Sequence, residues 1–262
     1  MKIESTTVFL DIRDFTKHLS EQFENEEFYE LIHNVYQTGL TVGSTLSDDN
    51  NFYINSTGDG FLCIFFGDFH YLKSYAFSLL LHLLLPNYFN QFFNDDKSEG
   101  DYWFGVGIES GFVNQVSANI DNKEIITYLG NVINIAARLE SLTKDHARAP
   151  IIFGPDFNEL LTQFYFNISY SQLIRNAKDE KDSSEANKLH IQMSSINSEL
   201  LSSYLFEHRL KGVKNALPVF RVSPSLQDIK KDHFWQFLQK MPDGIKVKIK
   251  DILFKANIHC RY

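Results

Sequence analysis

Residues 52–66 read FYINSTGDGFLCIFF. Two aromatic and β-branched runs, Phe52 to Asn55 and Phe61 to Phe66, flank Thr57-Gly58-Asp59-Gly60. Apolar runs on either side of a short Asp-Gly turn predict a β-hairpin. The two glycines let the backbone take positive φ and let a ligand approach closely. Upstream, Thr7 to Ile12 reads as another strand, and Asp11 stands at its end. If this strand lies beside the hairpin, Asp11 and Asp59 point at one spot. Two close carboxylates repel unless a cation neutralises them. Hard oxygen ligands select Mg²⁺ or Mn²⁺, and a pair of such ions is a usual apparatus of phosphoryl transfer. An Asp-Gly turn and a strand-terminal Asp also occur for structural reasons alone.

Outward from the hairpin, Glu27 to Leu40 repeats apolar residues at helical spacing, and the polar stretch Ser44 to Asn51 ends it. Tyr71 to Phe93 reads as a long apolar helix kinked near Pro86. Tyr102 to Val113 and Ile125 to Leu129 read as strands, and Gly130 opens a helix through about Leu142. Asn134 and Arg138 are four residues apart, so they share one face of that helix. Pro150 to Phe153 reads as a strand and Asp156 to Phe164 as a short helix. The stretch 175–188 is dense in Lys, Asp, Glu, Ser and Asn, and is predicted to be a solvated loop. Val219 to Val222 closes the series as a strand. Residues 223–262 read as an appendage, with a helix over Asp228 to Gln239 and a basic stretch around Lys246 to Lys250. This order implies an α+β sandwich with helices on one face of a mainly antiparallel sheet.

The chain has 262 residues and a net charge of −8, which argues against general nucleic-acid binding but not against one basic pocket for a phosphorylated ligand. Its two cysteines exclude a disulfide framework and a four-Cys zinc site. Charge interrupts the N-terminus before a signal peptide could develop, and the longest apolar run, Ala76 to Leu85, is too short to span a bilayer. A soluble, cytoplasmic protein with no direct membrane contact is the expectation.

Five segments then occur in order: FLDIRDFT (9–16), STGDGFLCIF (56–65), FGVGIESGFV (104–113), YLGNVINIAARLESLTK (128–144) and RLKGVKNALPVFRV (209–222). Together they resemble the class III nucleotide cyclase catalytic domain, over about Thr7 to Val222. The resemblance implies a ferredoxin-like fold over residues 1–222 and an obligatory head-to-tail homodimer with two composite active sites. It implies two Mn²⁺ or Mg²⁺ ions held by Asp11, Asp59 and the Ile12 carbonyl. It makes Asn134 and Arg138 the pair that orients the ribose and meets the transition-state phosphate, and Lys211 a polyphosphate-binding lysine. Metal aspartates of one chain would face the Asn/Arg pair of the other. Asp14 stands where many relatives have glycine.

The departures concern the base. Adenylate cyclases carry a base-reading lysine where this chain has Asn55, and an aspartate where it has Thr127; the guanylate-type pair is also absent. Tyr53, two residues before Asn55, shares its strand face, where a phenol takes space that a second purine ring would need. The plainer alternative is a strand tyrosine in an aromatic-rich chain. The pattern resembles the bacterial Pycsar pyrimidine cyclases of anti-phage defence, which make cyclic UMP or cyclic CMP for a separate effector. Asn55 and Thr127 can each donate or accept, so the residues do not choose between UTP and CTP; UTP is favoured only because uridylate cyclases look commoner in that group. The rivals are an adenylate cyclase with unusual base contacts and a non-catalytic nucleotide sensor. A diguanylate cyclase is weaker still, because its signature is absent.

Overall fold

The computed structural model describes residues 1–22, 24–47, 51–93, 103–120, 123–145, 149–180, 182–200, 202–211, 213–222 and 238–256. In chain order the elements are β1 (Lys2–Ile12), α1 (Phe15–Gln22), α2 (Glu26–Leu46), β2 (Phe52–Ser56), β3 (Gly60–Phe66), α3 (His70–Leu84) and α4 (Pro86–Phe93). Then come β4 (Phe104–Ile120), β5 (Lys123–Leu129), α5 (Asn131–Asp145), β6 (Ile151–Phe153) and α6 (Pro155–Phe166). The chain continues through α7 (Tyr170–Asp179), α8 (Ser183–Glu199), β7 (Ser202–His208), β8 (Leu217–Val222) and α9 (Asp243–Lys255). The strands form one sheet in the order β2-β3-β1-β4-β6-β8-β7, with β5 paired to β4. All pairings are antiparallel except β4 with β6.

Alternation along the central strands sorts residues between two faces. Val8, Leu10 and Ile12 of β1, Val106 and Ile108 of β4, and Cys63 and Phe65 of β3 enter the main core with α2, α3 and α6. Cys63 is the small buried hydrophobe expected of it, and Cys260 lies outside the described residues. The opposite face carries Asp11, Gly105 and Gly107, and α5 lies there, so helices cover both faces rather than one. Added Cβ atoms show how closely α5 is seated: at Gly107 one would lie 2.0 Å from the Ala136 carbonyl oxygen, and at Gly105 2.0 Å from Thr143 Oγ1. Gly107→Ala should therefore lift the helix from the sheet and cost about 3 kcal/mol, as overpacking of a rigid contact does. Urea denaturation checks this, and an unchanged midpoint would count against it.

Two expectations are corrected. The stretch 175–188 is not a loop: most of it belongs to α7 and α8. Ser169 and Asp182 cap these helices, accepting hydrogen bonds from Gln172 N and Ser184 N. Apolar positions 170, 173 and 174 of α7 and 189, 193 and 196 of α8 pack on the main core. The basic stretch around residue 248 is also helical. Ile245, Ile249, Ile252 and Leu253 bury one side of α9, which packs on α2 and joins the main core. The kink expected near Pro86 is there: the helical stretch divides at Leu85 into α3 and α4. Tyr102 and nearly all of the helix expected over 228–239 fall outside the described residues.

Two histidines are buried in the main layers. Thr6 Oγ1 lies 2.6 Å from His70 Nδ1, and His82 Nδ1 lies 3.0 Å from the Ser78 carbonyl oxygen. Burial, above all, pushes both pKa values from 6.5 down to about 4. The unfolded chain therefore binds more protons between pH 6.5 and 4, and the stability present above pH 6.5 is lost as pH falls through that window. Each histidine accounts for about 3 kcal/mol of the loss. Glu109, which burial pushes up to about 8, acts in the opposite sense. The difference between wild type and His82→Leu isolates the histidine: the variant should lose less stability between pH 7 and pH 4, and identical slopes would overturn the assignment.

Candidate active site

The end of β1 is built into the hairpin turn. Asp11 pairs in register with Gly60 on one side and Gly105 on the other. Gly58 has φ +99°, and Thr57 N donates to the Gly60 carbonyl at 3.0 Å. A Cβ at Gly60 would lie 1.9 Å from the Leu10 carbonyl oxygen, so only glycine lets the turn close against β1. Ile12 N donates to the Asp59 carbonyl at 2.9 Å and ties the tip to the strand end. The carboxylates of Asp11 and Asp59 are brought together, as the sequence implied: the Asp59 carboxyl adds to the upward shift of the Asp11 pKa. Burial is the larger cause of that shift, since Asp11 is only 8% exposed, and Lys144 opposes it.

Lys144 was not singled out from the sequence. Its Nζ lies 2.5 Å from Asp11 Oδ2. Around this pair, Arg13 Nη2 donates to Thr143 Oγ1 at 2.6 Å, and Arg13 Nη1 lies 3.9 Å from Glu140 Oε1. Burial, with Asp11 adding to it, pushes the Glu140 carboxyl up to about 7. Lys144 lies in the last turn of α5, six residues beyond Arg138, and helical spacing alone does not report its contact with Asp11. Asp14 has φ +53°, a conformation that glycine adopts freely and Asp tolerates.

The donor set at this end of the sheet suits a hard divalent ion. Two carboxylates and a neighbouring backbone carbonyl are oxygen ligands, and the existing partner of Asp11 is itself a cation. No group of three or more His, Cys, Asp or Glu side chains gathers to hold a metal among the described residues, so phosphate oxygens and water would have to complete a coordination shell here.

The other predicted residues lie elsewhere. Asn134 is exposed and Arg138 half-buried, and neither side chain has a hydrogen-bond or ion-pair partner among the described residues. Asp11 contacts α5 at Lys144, whereas Arg138 and Asn134 lie about 9 and 15 Å further back along its axis. One chain therefore does not bring the pair to the carboxylates. Lys211 is exposed between β7 and β8, and its neighbour Leu210 packs with Leu139 and Leu142 of α5. Tyr53 is half-buried on the α5 face of the sheet, and Asn55 is exposed on the same strand face.

Thr127 sits on the other side of β5 from Tyr128, and it is Tyr128 that meets Tyr53, edge to face with ring centroids 4.9 Å apart. Tyr128 also packs against Phe66 at 4.9 Å. Its place beside Thr127 was the only sequence clue to it. Thr127 falls in an exposed apolar stripe, with Phe112 (51% exposed), Val116, Ile125 and Leu129 (59%) along one face of the β4–β5 ribbon.

Solved structures with this fold include a bacterial light-regulated adenylyl cyclase, with a TM-score of 0.55 and 16% identity over 92% of this chain and 100% of that one. The adenylyl cyclase CyaB from P. aeruginosa has a TM-score of 0.57 and 16% identity over 86% of this chain and 96% of that one. The guanylate cyclase domain of RhGC from Catenaria anguillulae, solved in complex with GTP, has a TM-score of 0.53 and 16% identity, over 86% and 98%. No curated protein matches in sequence. At this identity the likenesses speak for the fold alone. The family model for the adenylate and guanylate cyclase catalytic domain, however, matches residues 2–174, and that stretch holds the paired carboxylates, the glycine turn and the whole of α5. A match over about two thirds of the chain, laid on a mainly antiparallel α+β sheet with that turn at its edge, makes this chain a member of the class III nucleotide cyclase catalytic domain family.

Proposed function

We propose that this nucleotide cyclase acts on a pyrimidine nucleoside triphosphate, UTP in the first place, and forms the 3′,5′-cyclic nucleotide and pyrophosphate. The observation that carries the base preference is the Tyr53–Tyr128 ring pair. Tyr128 packs on both Phe66 and Tyr53, and the contact restrains the Tyr53 phenol on its strand face. In this reading the ring beside Asn55 takes the space that the second ring of a purine would need. The Asn55 amide offers one donor and one acceptor group, which suits the O4/N3–H edge of uracil and, turned over, the amino/N3 edge of cytosine. CTP is thus the alternative within the same pocket.

The active site is composite across a head-to-tail homodimer. Support comes from Asn134 and Arg138, whose side chains have no partner among the described residues, their distance from Asp11, and the exposed apolar stripe on β4–β5. Divalent ions bound by Asp11, Asp59 and the Ile12 carbonyl would supply acidity to the ribose 3′-hydroxyl and neutralise the polyphosphate. Asn134 of the second chain holds the ribose so that its 3′-oxygen faces the α-phosphorus. Arg138 meets the charge that develops on the α-phosphate oxygens, and Lys211 holds the leaving end of the triphosphate. The new bond joins the 3′-oxygen to the α-phosphorus. The bond from that phosphorus to the bridging oxygen breaks, pyrophosphate leaves and the hydroxyl proton passes to solvent. The Pycsar resemblance would make the product a second messenger for a separate effector in anti-phage defence. The soluble character expected from the sequence fits this reading, and no described helix is long and apolar enough to cross a membrane.

The test is an equal mixture of ATP, GTP, CTP and UTP with Mn²⁺, products identified by mass spectrometry. Cyclic UMP is expected. Cyclic AMP or cyclic GMP would overturn the pyrimidine reading and leave the cyclase assignment intact. Tyr53→Ala should relax selectivity against purines by about ten- to a hundredfold, the range a pocket gains or loses with a ring-sized change. Unchanged selectivity would remove Tyr53 from the argument.

A further inference from the structure

Asp11 has a partner that a metal ion would have to replace. Its Oδ2 lies 2.5 Å from Lys144 Nζ, and the two ends of this ion pair differ in freedom. The Asp11 side chain is 11% exposed and sits on a strand paired on both sides. The Lys144 side chain is 49% exposed and reaches in from the last turn of α5 on a flexible stem. A divalent ion binds a carboxylate oxygen at about 2.1 Å. An ammonium held on the same oxygen would set a third positive charge against it, so one cation must leave. Lys144 is the one with somewhere to go.

The backbone under Lys144 is fixed where its side chain is not. The absence of a Cβ at Gly105 seats the last turn of α5 over β4, since that atom would lie 2.0 Å from Thr143 Oγ1 and 2.9 Å from Glu140 Oε1. Thr143 Oγ1 donates to the Glu140 carbonyl at 2.5 Å and accepts from Arg13 Nη2 at 2.6 Å. Glu140 lies four residues before Lys144, on the same helix side, and shares its carboxylate with Arg13 at 3.9 Å. The pinned turn thus offers Lys144 a second carboxylate on its own helix, and the half-exposed side chain also has open solvent.

Building on the reading of Asp11 as a metal ligand, we propose that Lys144 is a tethered stand-in cation. It occupies the position of the first metal ion on Asp11 in the nucleotide-free enzyme, and swings out toward Glu140 and solvent when the ion enters. The pair keeps a buried carboxylate compensated while the site is empty, because an unpaired buried charge is strongly destabilising. It also weakens the site for free metal, so that the ion enters with the triphosphate that shares its charge.

The experiment uses Mn²⁺ alone, without nucleotide, on the full chain. Mn²⁺ affinity is measured by electron paramagnetic resonance for wild type, Lys144→Gln, Lys144→Arg and Asp11→Asn. Acylation of Lys144 by an N-hydroxysuccinimide ester is followed by mass spectrometry with and without Mn²⁺. Lys144→Gln should bind Mn²⁺ about tenfold tighter, the scale on which one partly buried ion pair competes. Lys144→Arg should stay near wild type, and Mn²⁺ should speed acylation of Lys144 several-fold. Unchanged or weaker binding by Lys144→Gln, or slower acylation with Mn²⁺, overturns the proposal. If Asp11→Asn binds Mn²⁺ as wild type does, the metal reading of Asp11 falls, and the proposal with it. If Asp11→Asn loses binding while Lys144→Gln is unchanged, only the proposal falls.

Discussion

Asp59→Ala is expected to lower kcat/KM for cyclisation at least about a thousandfold while the chain folds and associates as before. The two halves of this expectation rest on different atoms of the residue. The structural half is backbone: the Asp59 carbonyl accepts from Ile12 N, and the turn closes through Thr57 N and the Gly60 carbonyl. Alanine keeps all of that. The chemical half is the carboxylate, which the turn brings to Asp11 at the end of β1. Without it, Asp11 and one backbone carbonyl face a cation, too few anionic oxygens to hold a divalent ion beside a triphosphate. Asp11→Ala would be a poorer probe, because it also strands the Lys144 ammonium. Pyrophosphate release with Mn²⁺ reads the activity, and thermal denaturation with size-exclusion chromatography reads the fold. More than a few per cent of wild-type turnover in a folded Asp59→Ala variant would sink the two-carboxylate site.

Why the carboxylate pair was legible, and Lys144 was not, has a physical reason. A hairpin turn and a strand end are local features. Apolar runs bounding Thr57-Gly58-Asp59-Gly60 imply the turn, and the meeting of Asp59 with Asp11 needs only the pairing of β1 with β3. Lys144 reaches Asp11 because Gly105 and Gly107 let α5 lie close on β4, a contact between elements whose depth no periodicity reports. Tyr128 escaped because the motif position is Thr127, and strand alternation turns the next residue toward Tyr53. The errors at α7, α8 and α9 were of another kind. Their charged sides were read and their buried sides were not, although Leu189, Met193 and Ile196, or Ile245, Ile249 and Ile252, stand at helical spacing. Dense charge marks one solvated face of a helix as readily as a loop. The edge strand β7 carries a register shift between Tyr204 and Phe206, and an irregular edge strand has little alternation to read.

The second large effect is at Arg138, and it decides whether the site belongs to one chain or two. Arg138→Ala should lower kcat about a hundred- to a thousandfold, the usual loss of one group that meets transition-state charge. Its own fold should be unaffected, since the side chain has no partner among the described residues. The informative experiment mixes this inactive variant with inactive Asp59→Ala. In a head-to-tail dimer each site takes its carboxylates from one chain and its arginine from the other. A mixed dimer then gathers both lesions in one site and leaves the second site whole. With free exchange, half of the dimers are mixed and half of their sites are intact, so activity should return to about a quarter of wild type. Were Arg138 to serve the carboxylates of its own chain, every site would keep a lesion and mixing would restore nothing. The geometry within one chain already leans against that outcome. Asp11 meets α5 at Lys144, and Arg138 stands six residues earlier, about 9 Å along the axis. The apolar stripe of Phe112, Val116, Ile125 and Leu129 gives the second chain a surface to cover, and Thr127 lies within that stripe. A charged substitution there, Leu129→Lys, should abolish the recovery on mixing by keeping the chains apart, which separates failure to associate from failure to share a site.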